Sequence, residues 1–229
     1  MNITAFAGPA KVLGIVALFA IATASLSNAG SERQTVPAPR LDAPLASKTG
    51  MQTAVFAGGC FWGVEAVFEH VKGVRDASSG YAGGTAATAD YETVSSGRSG
   101  HAESVKVVFD PSVISYGQLL KVFFSVAHDP TQLDRQGPDR GSQYRSAIFT
   151  TGPEQQRIAT AYIAQMSAAK TFGDKPIVTR VGPLKAFYPA EKYHQDFARL
   201  NPTHPYISYW DAPKVASLKK EFPGWYRSN

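Results

Sequence analysis

The feature that most constrains this chain is a scarcity: it has one cysteine, Cys60, in 229 residues. No disulfide framework can close within it, and a structural zinc site of the usual multi-cysteine kind is out of reach. The fold must therefore be held by buried apolar surface. An apolar fraction of 44% against 18% charged residues supplies that surface, enough for one large domain or two small ones. The formal charge of +5 is mild for this length, and no Lys/Arg run reaches five residues. No nucleic-acid footprint is visible in such a pattern, and neither a metal nor a cofactor is expected.

The first 29 residues stand apart. Lys11 and the free amine make a weakly positive start, Val12 to Leu26 carries no charge, and Ser27-Asn28-Ala29 offers small residues ahead of Gly30. This is the pattern of a secretory signal peptide cut after Ala29, with Ala24 as a second option. The uncharged run falls short of the roughly 20 residues that span a bilayer. The mature protein is thus expected to be exported, periplasmic or secreted, without stable membrane insertion. Residues 30–50 carry Pro37, Pro39 and Pro44 among Ser, Thr and charges, which predicts a flexible linker. The folded domain is expected over residues 51–229.

Within that domain the apolar spacing alternates between two periods. Residues 53–57 form a short apolar run ended by Gly58-Gly59, followed by Val64, Val67, Phe68 and Val71 at helical spacing over 61–71. Strands are predicted at 74–81 and at 102–109, where Val105, Val107 and Phe109 share one face. Tyr116, Leu119, Leu120, Phe123 and Phe124 make a second helical stripe, and 144–150 reads as a strand. Thr151 with Glu154 resembles a capping box, with Pro153 just inside a third helix. A last short strand is predicted at 177–181. The order β-α-β-β-α-β, then α-β, predicts an α+β fold with a ferredoxin-like two-layer core and added helices, strands and long loops. Two connections, 82–100 and about 127–143, are long enough to suggest function.

Cys60 sits at the first strand-to-helix turn, in Gly58-Gly59-Cys60-Phe61-Trp62-Gly63. A cysteine at a helix N-terminus faces unpaired backbone N–H groups and the positive end of the dipole, which favour the thiolate. Glycines before it allow other groups to approach the sulfur. The alternative is a buried, inert thiol.

The Gly-Cys-Phe-Trp-Gly run resembles the active-site motif of the type A peptide methionine sulfoxide reductases. Further stretches fit the same family in the same order: Gly80-Tyr81-Ala82-Gly83-Gly84, Gly100-His101-Ala102-Glu103, His128-Asp129-Pro130-Thr131-Gln132, Gln136-Gly137-Pro138-Asp139, Gln143-Tyr144-Arg145-Ser146 and Tyr193-His194-Gln195. The resemblance covers roughly residues 52–225. It implies thiolate attack by Cys60 on the sulfoxide sulfur of methionine sulfoxide, selectivity for the S-epimer, and a sulfenic acid left on the enzyme.

The departing oxygen needs a proton. Glu103 shares strand parity with Val105 and Val107. It therefore points to the apolar face, where desolvation keeps a carboxyl protonated. The resemblance assigns Tyr91 and Tyr144 as oxygen ligands, with Asp139 nearby. Phe61 and Trp62 would wall the substrate's S-methyl group, while His128, Asp129 and His194 are expected to be structural.

Many family members carry recycling cysteines near the C-terminus, and these 229 residues hold none. An external thiol is therefore expected to reduce the sulfenic acid: glutathione, or a thioredoxin-like or glutaredoxin-like protein. The protein is expected to act as a monomer on free or protein-bound methionine sulfoxide. Two other readings compete. One is a thiol hydrolase pairing Cys60 with His101 or His194; the other is a sulfoxide-binding or thiol-sensor module that reacts once. Mass spectrometry of an exported fraction tests the targeting expectation: the first residue should be Gly30 or Ser25, and intact Met1 confined to cytoplasm would contradict it.

Overall fold

The structure is a computed structural model that describes Met1 and residues 35–48 and 50–228. The expected signal peptide lies outside the described residues, apart from Met1. The elements are β1 (Gln52–Gly58), α1 (Phe61–Glu69), β2 (Val74–Ala82), α2 (Tyr91–Ser95), β3 (Ala102–Phe109), α3 (Tyr116–Val122), β4 (Arg135–Gln136), β5 (Asp139–Arg140), β6 (Ser146–Thr150), α4 (Pro153–Ala168), β7 (Arg180–Pro183), β8 (Phe187–Pro189), α5 (Phe197–Leu200) and α6 (Ala212–Glu221).

The main sheet runs β7-β6-β1-β3-β2-β8. Its four central strands are antiparallel and ordered β6-β1-β3-β2, which is the split β-α-β arrangement expected from the sequence. β8 adds antiparallel to β2, and β7 adds parallel to β6. The helices lie on one face. Phe56 on β1 carries much of that contact: its ring stacks 5.1 Å from Phe68 of α1 and 5.0 Å from Phe123 beyond α3. Val105, Val107 and Phe109 of β3 point to the same face and are fully buried, as the alternation requires. Ala57, Ala102 and Ala147 form a small separate cluster.

Several elements depart from the sequence reading. The strand expected at 177–181 begins only at Arg180, because the Val178 N–H is taken by the Pro130 carbonyl of a loop (2.8 Å) rather than by β6. Thr151 does not cap α4. Gly152 is the N-cap, and Gln155 reaches back to the Thr151 N–H (3.1 Å) while Thr151 bonds the Thr53 carbonyl. α3 instead carries the full capping box, between Ser115 and Gln118, and continues as a π turn over Phe123–Ala127. Such turns often mark functional sites, and this one delivers His128 to the turn before Cys60.

The two long connections are not slack. The first contains α2; the second contains the β4–β5 ribbon and a 3₁₀ turn, Ser142–Tyr144. They are laced together: the Ser142 hydroxyl donates to the Gly97 carbonyl (2.8 Å) and the Gln143 amide to Ser95 (3.0 Å). Arg145 donates to the Gly100 and His101 carbonyls.

The expected linker also differs. Within it, residues 36–46 are docked: Val36 is buried in the core, Tyr162 and Gln165 of α4 bond the backbone at Pro37, Ala38 and Arg40, and Ala46 bonds Pro111. Asp42 accepts from the Gly117 N–H (2.8 Å) and from the Ser115 hydroxyl at the start of α3. Linker composition did not prevent docking because α3 and α4 offered unpaired polar groups that this segment satisfies. Asp42→Ala should lower stability by about 1–2 kcal/mol in urea melts, the scale of a lost helix cap, with reductase turnover unchanged.

Candidate active site

Cys60 is the N-cap residue of α1, so its side chain leaves the chain at the end of the helix where N–H groups are free. The turn before it is tight. Gly59 has φ of +93°, in the region that favours glycine, and a Cβ there would overlap the side chain of Gln136. Cys60 is 8% exposed.

Glu103 lies on β3 directly across from Tyr81 of β2 and is 2% exposed. Its Oε2 accepts the Phe61 N–H at 3.0 Å, one residue past Cys60. Burial raises its pKa to about 8; the Phe61 N–H opposes that and the Asp139 carboxylate adds to it. At neutral pH Glu103 is a proton-bearing acid beside the cysteine.

The charge state of Cys60 corrects the sequence expectation. Its pKa lies well above the ordinary thiol range, not below it. Burial is the main cause, and the carboxylates of Glu103 and Asp211 add to it; the Trp62 N–H and the Lys214 ammonium offset only part. The helix N-terminus is outweighed, so the resting group is a thiol. Protonation of Glu103 removes the first of those carboxylate effects.

The sequence-picked residues converge here. Phe61 is 1% exposed and packs 6.0 Å from the Tyr81 ring and 5.0 Å from His194. Trp62 is half-buried and stacks on Phe197 of α5 at 3.8 Å and 11°, with Tyr206 edge-on at 5.9 Å. Tyr91, the first residue of α2, has its ring 4.3 Å from His194. Burial raises the phenol pKa of both Tyr91 and Tyr144, and nearby Glu103 and Cys60 raise them further. Both phenols therefore stay protonated hydrogen-bond donors. Asp139, on β5, accepts the Tyr206 hydroxyl.

A cleft of about 270 Å³ opens beside Cys60, walled by Gln136, Asp139, Tyr206, Trp210 and Lys214. Glu103, Tyr91 and Tyr144 do not line it, so it meets the cysteine from another side. Behind it Lys214 pairs with Asp211 at 3.1 Å. Asp211 is fully buried, and its second oxygen has no partner among the described residues. The pair packs on the first turn of α1 where Gly63 leaves room; a Cβ there would collide with Asp211.

Four residues of this neighbourhood had no signal in the sequence: Tyr206, Asp211, Lys214 and Glu191. Tyr206, Asp211 and Lys214 come from the C-terminal segment and Glu191 from just before the Tyr193-His194-Gln195 motif, and only the fold brings them in. His194 accepts the Trp62 indole N–H through Nδ1 at 3.2 Å. The ring nitrogens of His101 contact the Gly84 N–H and the Thr85 carbonyl, and those of His128 contact the Phe123 carbonyl and Ser146. None of these histidines bonds Cys60, which removes the hydrolase reading: the titratable group at the cysteine turn is a glutamate. Among the described residues no helix is long and apolar enough to cross a membrane.

A cysteine at a helix start, beside a buried protonated acid and two phenols, has the make-up of a thiol enzyme's site. The comparisons identify the family. The model of the family "Peptide methionine sulfoxide reductase" matches residues 52–225, and the chain belongs to that family. A Mesorhizobium japonicum relative, "Peptide methionine sulfoxide reductase MsrA 2", is 61% identical over 177 residues, covering 77% of this chain and 90% of its own. A Synechocystis relative of the same name is 54% identical over 191 residues, 82% of this chain and 89% of its own. Among solved structures, "Methionine sulfoxide reductase A of Corynebacterium diphtheriae" aligns with TM-score 0.59 at 37% identity, over 69% of this chain and 78% of that one. The reduced form of Mxr1 from Saccharomyces cerevisiae aligns with TM-score 0.61 at 31% identity, over 72% and 92%. The protein is accordingly an oxidoreductase that reduces methionine sulfoxide.

The buried acid leaves a thermodynamic signature. Its folded pKa is raised, so its stabilising contribution is complete below the unfolded value near 4.5 and is lost as pH rises through about 8. Glu103→Gln carries no such charge and its oxygen can still accept the Phe61 N–H. Between those pH values wild type should lose stability relative to the variant, by at most about 1.4 kcal/mol per pH unit. Chemical denaturation across pH reads this directly, and parallel curves would contradict the acid's burial.

Proposed function

We propose that Cys60 reduces methionine S-sulfoxide with Glu103 as the proton donor. The observation that carries this is the buried Glu103 carboxyl held on the Phe61 N–H. The sulfoxide oxygen sits against Glu103, Tyr91 and Tyr144, and the S-methyl group against Phe61 and Trp62. Glu103 gives its proton to the oxygen. The Cys60 sulfur attacks the sulfoxide sulfur, and the thiol proton returns to Glu103. The substrate's sulfur–oxygen bond and the new sulfur–sulfur bond then break as oxygen passes to Cys60 as S–OH, and the thioether of methionine is released. The substrate sulfur gains two electrons and the cysteine sulfur loses two, so the step balances. The phenols stabilise charge on the oxygen during transfer.

The rest of the cycle follows from composition. With one cysteine in 229 residues, a first external thiol displaces the hydroxyl as water and forms a mixed disulfide, and a second releases Cys60. A thioredoxin-like or glutaredoxin-like protein, or glutathione, has the required chemistry. The uncharged stretch at 12–26 supports export, where the enzyme would repair oxidised methionine in a compartment poor in free thiols.

Three measurements test this reading. Cys60→Ser should abolish reduction of the S-epimer in a dithiothreitol-driven assay. Without added thiol, wild type should release one methionine per chain and gain one oxygen on Cys60, seen by mass spectrometry; a burst clearly above one would contradict the cycle. The single-turnover rate should fall as pH rises through about 8, where Glu103 loses its proton. A rate that climbs steadily through that range would remove Glu103 from the role.

A further inference from the structure

Glu191 takes no part in the chemistry above, yet it ties three parts of the site together. It precedes the 3₁₀ turn Lys192–His194. Its Oε1 accepts the Tyr91 N–H at 2.9 Å, and its Oε2 accepts the Tyr81 hydroxyl at 2.7 Å.

Both partners adjoin the reacting groups. Tyr91 opens α2, a five-residue helix in the Gly-rich connection. A helix this short has little stability of its own, and its first N–H groups lack partners within the helix. Asp90 satisfies Thr93 (2.9 Å), which leaves the Tyr91 N–H to Glu191. Tyr81 is the cross-strand neighbour of Glu103, is fully buried, and packs against Phe61. A single carboxylate thus pins the start of α2 to the strand beside the catalytic acid. Burial would raise the pKa of Glu191, but the Tyr91 N–H, its own N–H, the Tyr81 hydroxyl and nearby His194 together outweigh it and hold the pKa low. Glu191 stays ionised where Glu103 stays protonated, so its two bonds are charge-assisted and of the stronger kind.

We propose that Glu191 is a positioning residue for sulfoxide reduction: by anchoring α2 to β2 it fixes where the Tyr91 phenol meets the sulfoxide oxygen. The inference rests on the reading of Tyr91 as an oxygen ligand. A donor aimed at developing charge acts only if its position is set beforehand, and nothing in the length of α2 sets it.

A double-mutant cycle in the full chain tests this, with steady-state kinetics on a methionine S-sulfoxide peptide and dithiothreitol as reductant. Tyr91→Phe should lower kcat by roughly tenfold to a hundredfold. Glu191→Ala should lower kcat by up to the same factor, with KM within about twofold, because the lost interaction belongs to the transition state. The double variant should be no slower than Tyr91→Phe alone, since Glu191 would have nothing left to position. Glu191→Gln, which keeps an oxygen for the Tyr91 N–H, should recover most of the rate. Glu191→Asp withdraws the carboxylate by one methylene while keeping its charge. It should show the same non-additivity if Glu191→Ala does not fold.

Multiplicative losses in the double variant, or a wild-type kcat in both Glu191→Ala and Glu191→Asp, would overturn the positioning role alone. A wild-type kcat in Tyr91→Phe would overturn the ligand reading and the inference together.

Discussion

One hydrogen bond organises the site: the Phe61 N–H donating to the buried carboxyl of Glu103. It joins the first turn of α1 to the middle of the sheet and places an acid one residue from Cys60. The bond is only possible because α1 begins at Phe61, where the helix has no internal partner for that N–H. Burial is what keeps the carboxyl protonated at neutral pH, and burial requires the apolar face of β3, where Val105 and Val107 follow Glu103 in the same parity. Fold stability and acid strength are therefore coupled through the same surface: a more exposed Glu103 would cost the core less and would lose its proton.

The same burial works against the nucleophile. A thiol in an apolar pocket resists ionisation, and the Asp211 charge adds to that resistance, as does Glu103 once it loses its proton. The proposed mechanism therefore does not draw on a standing thiolate: in it Glu103 gives a proton to the oxygen and takes one back from Cys60. The Lys214–Asp211 pair shows how closely charge is balanced around the sulfur. Its cation lies in the cleft wall while its anion lies fully buried against Gly63, where any larger residue would collide. Removing one member would leave the other buried and unpaired, a cost far larger than the pair's own attraction.

Much of the fold was legible because periodicity reports burial directly. β3 runs over the residues its alternation marks, and the order of periods gives the β6-β1-β3-β2 sheet. The errors share a cause: each concerns a backbone group whose partner lies elsewhere in the fold. Val178 bonds a loop rather than a strand, the Thr151 hydroxyl donates to the Thr53 carbonyl of β1 rather than capping α4, and Asp42 draws a proline-rich segment onto α3. Local sequence carries no record of such partners. β8 and the short helices α2 and α5 were missed because three to five residues hold too few positions for a period to show.

The sequence by itself determined the chemistry available to this protein. One cysteine in a Gly-Gly-Cys-Phe-Trp turn, an acid on the apolar parity of a strand, and tyrosines in long loops offer a thiol, a carboxyl and phenols to the proposed mechanism. It could not determine the protonation state of that chemistry. The helix start alone argued for a thiolate, and the assembled site holds a thiol. The reason is that ionisation depends on solvent exclusion and on charges within a few ångströms. The groups that set it, Glu103, Asp211 and Lys214, are brought beside Cys60 by a sheet register and a C-terminal helix rather than by their place in the chain.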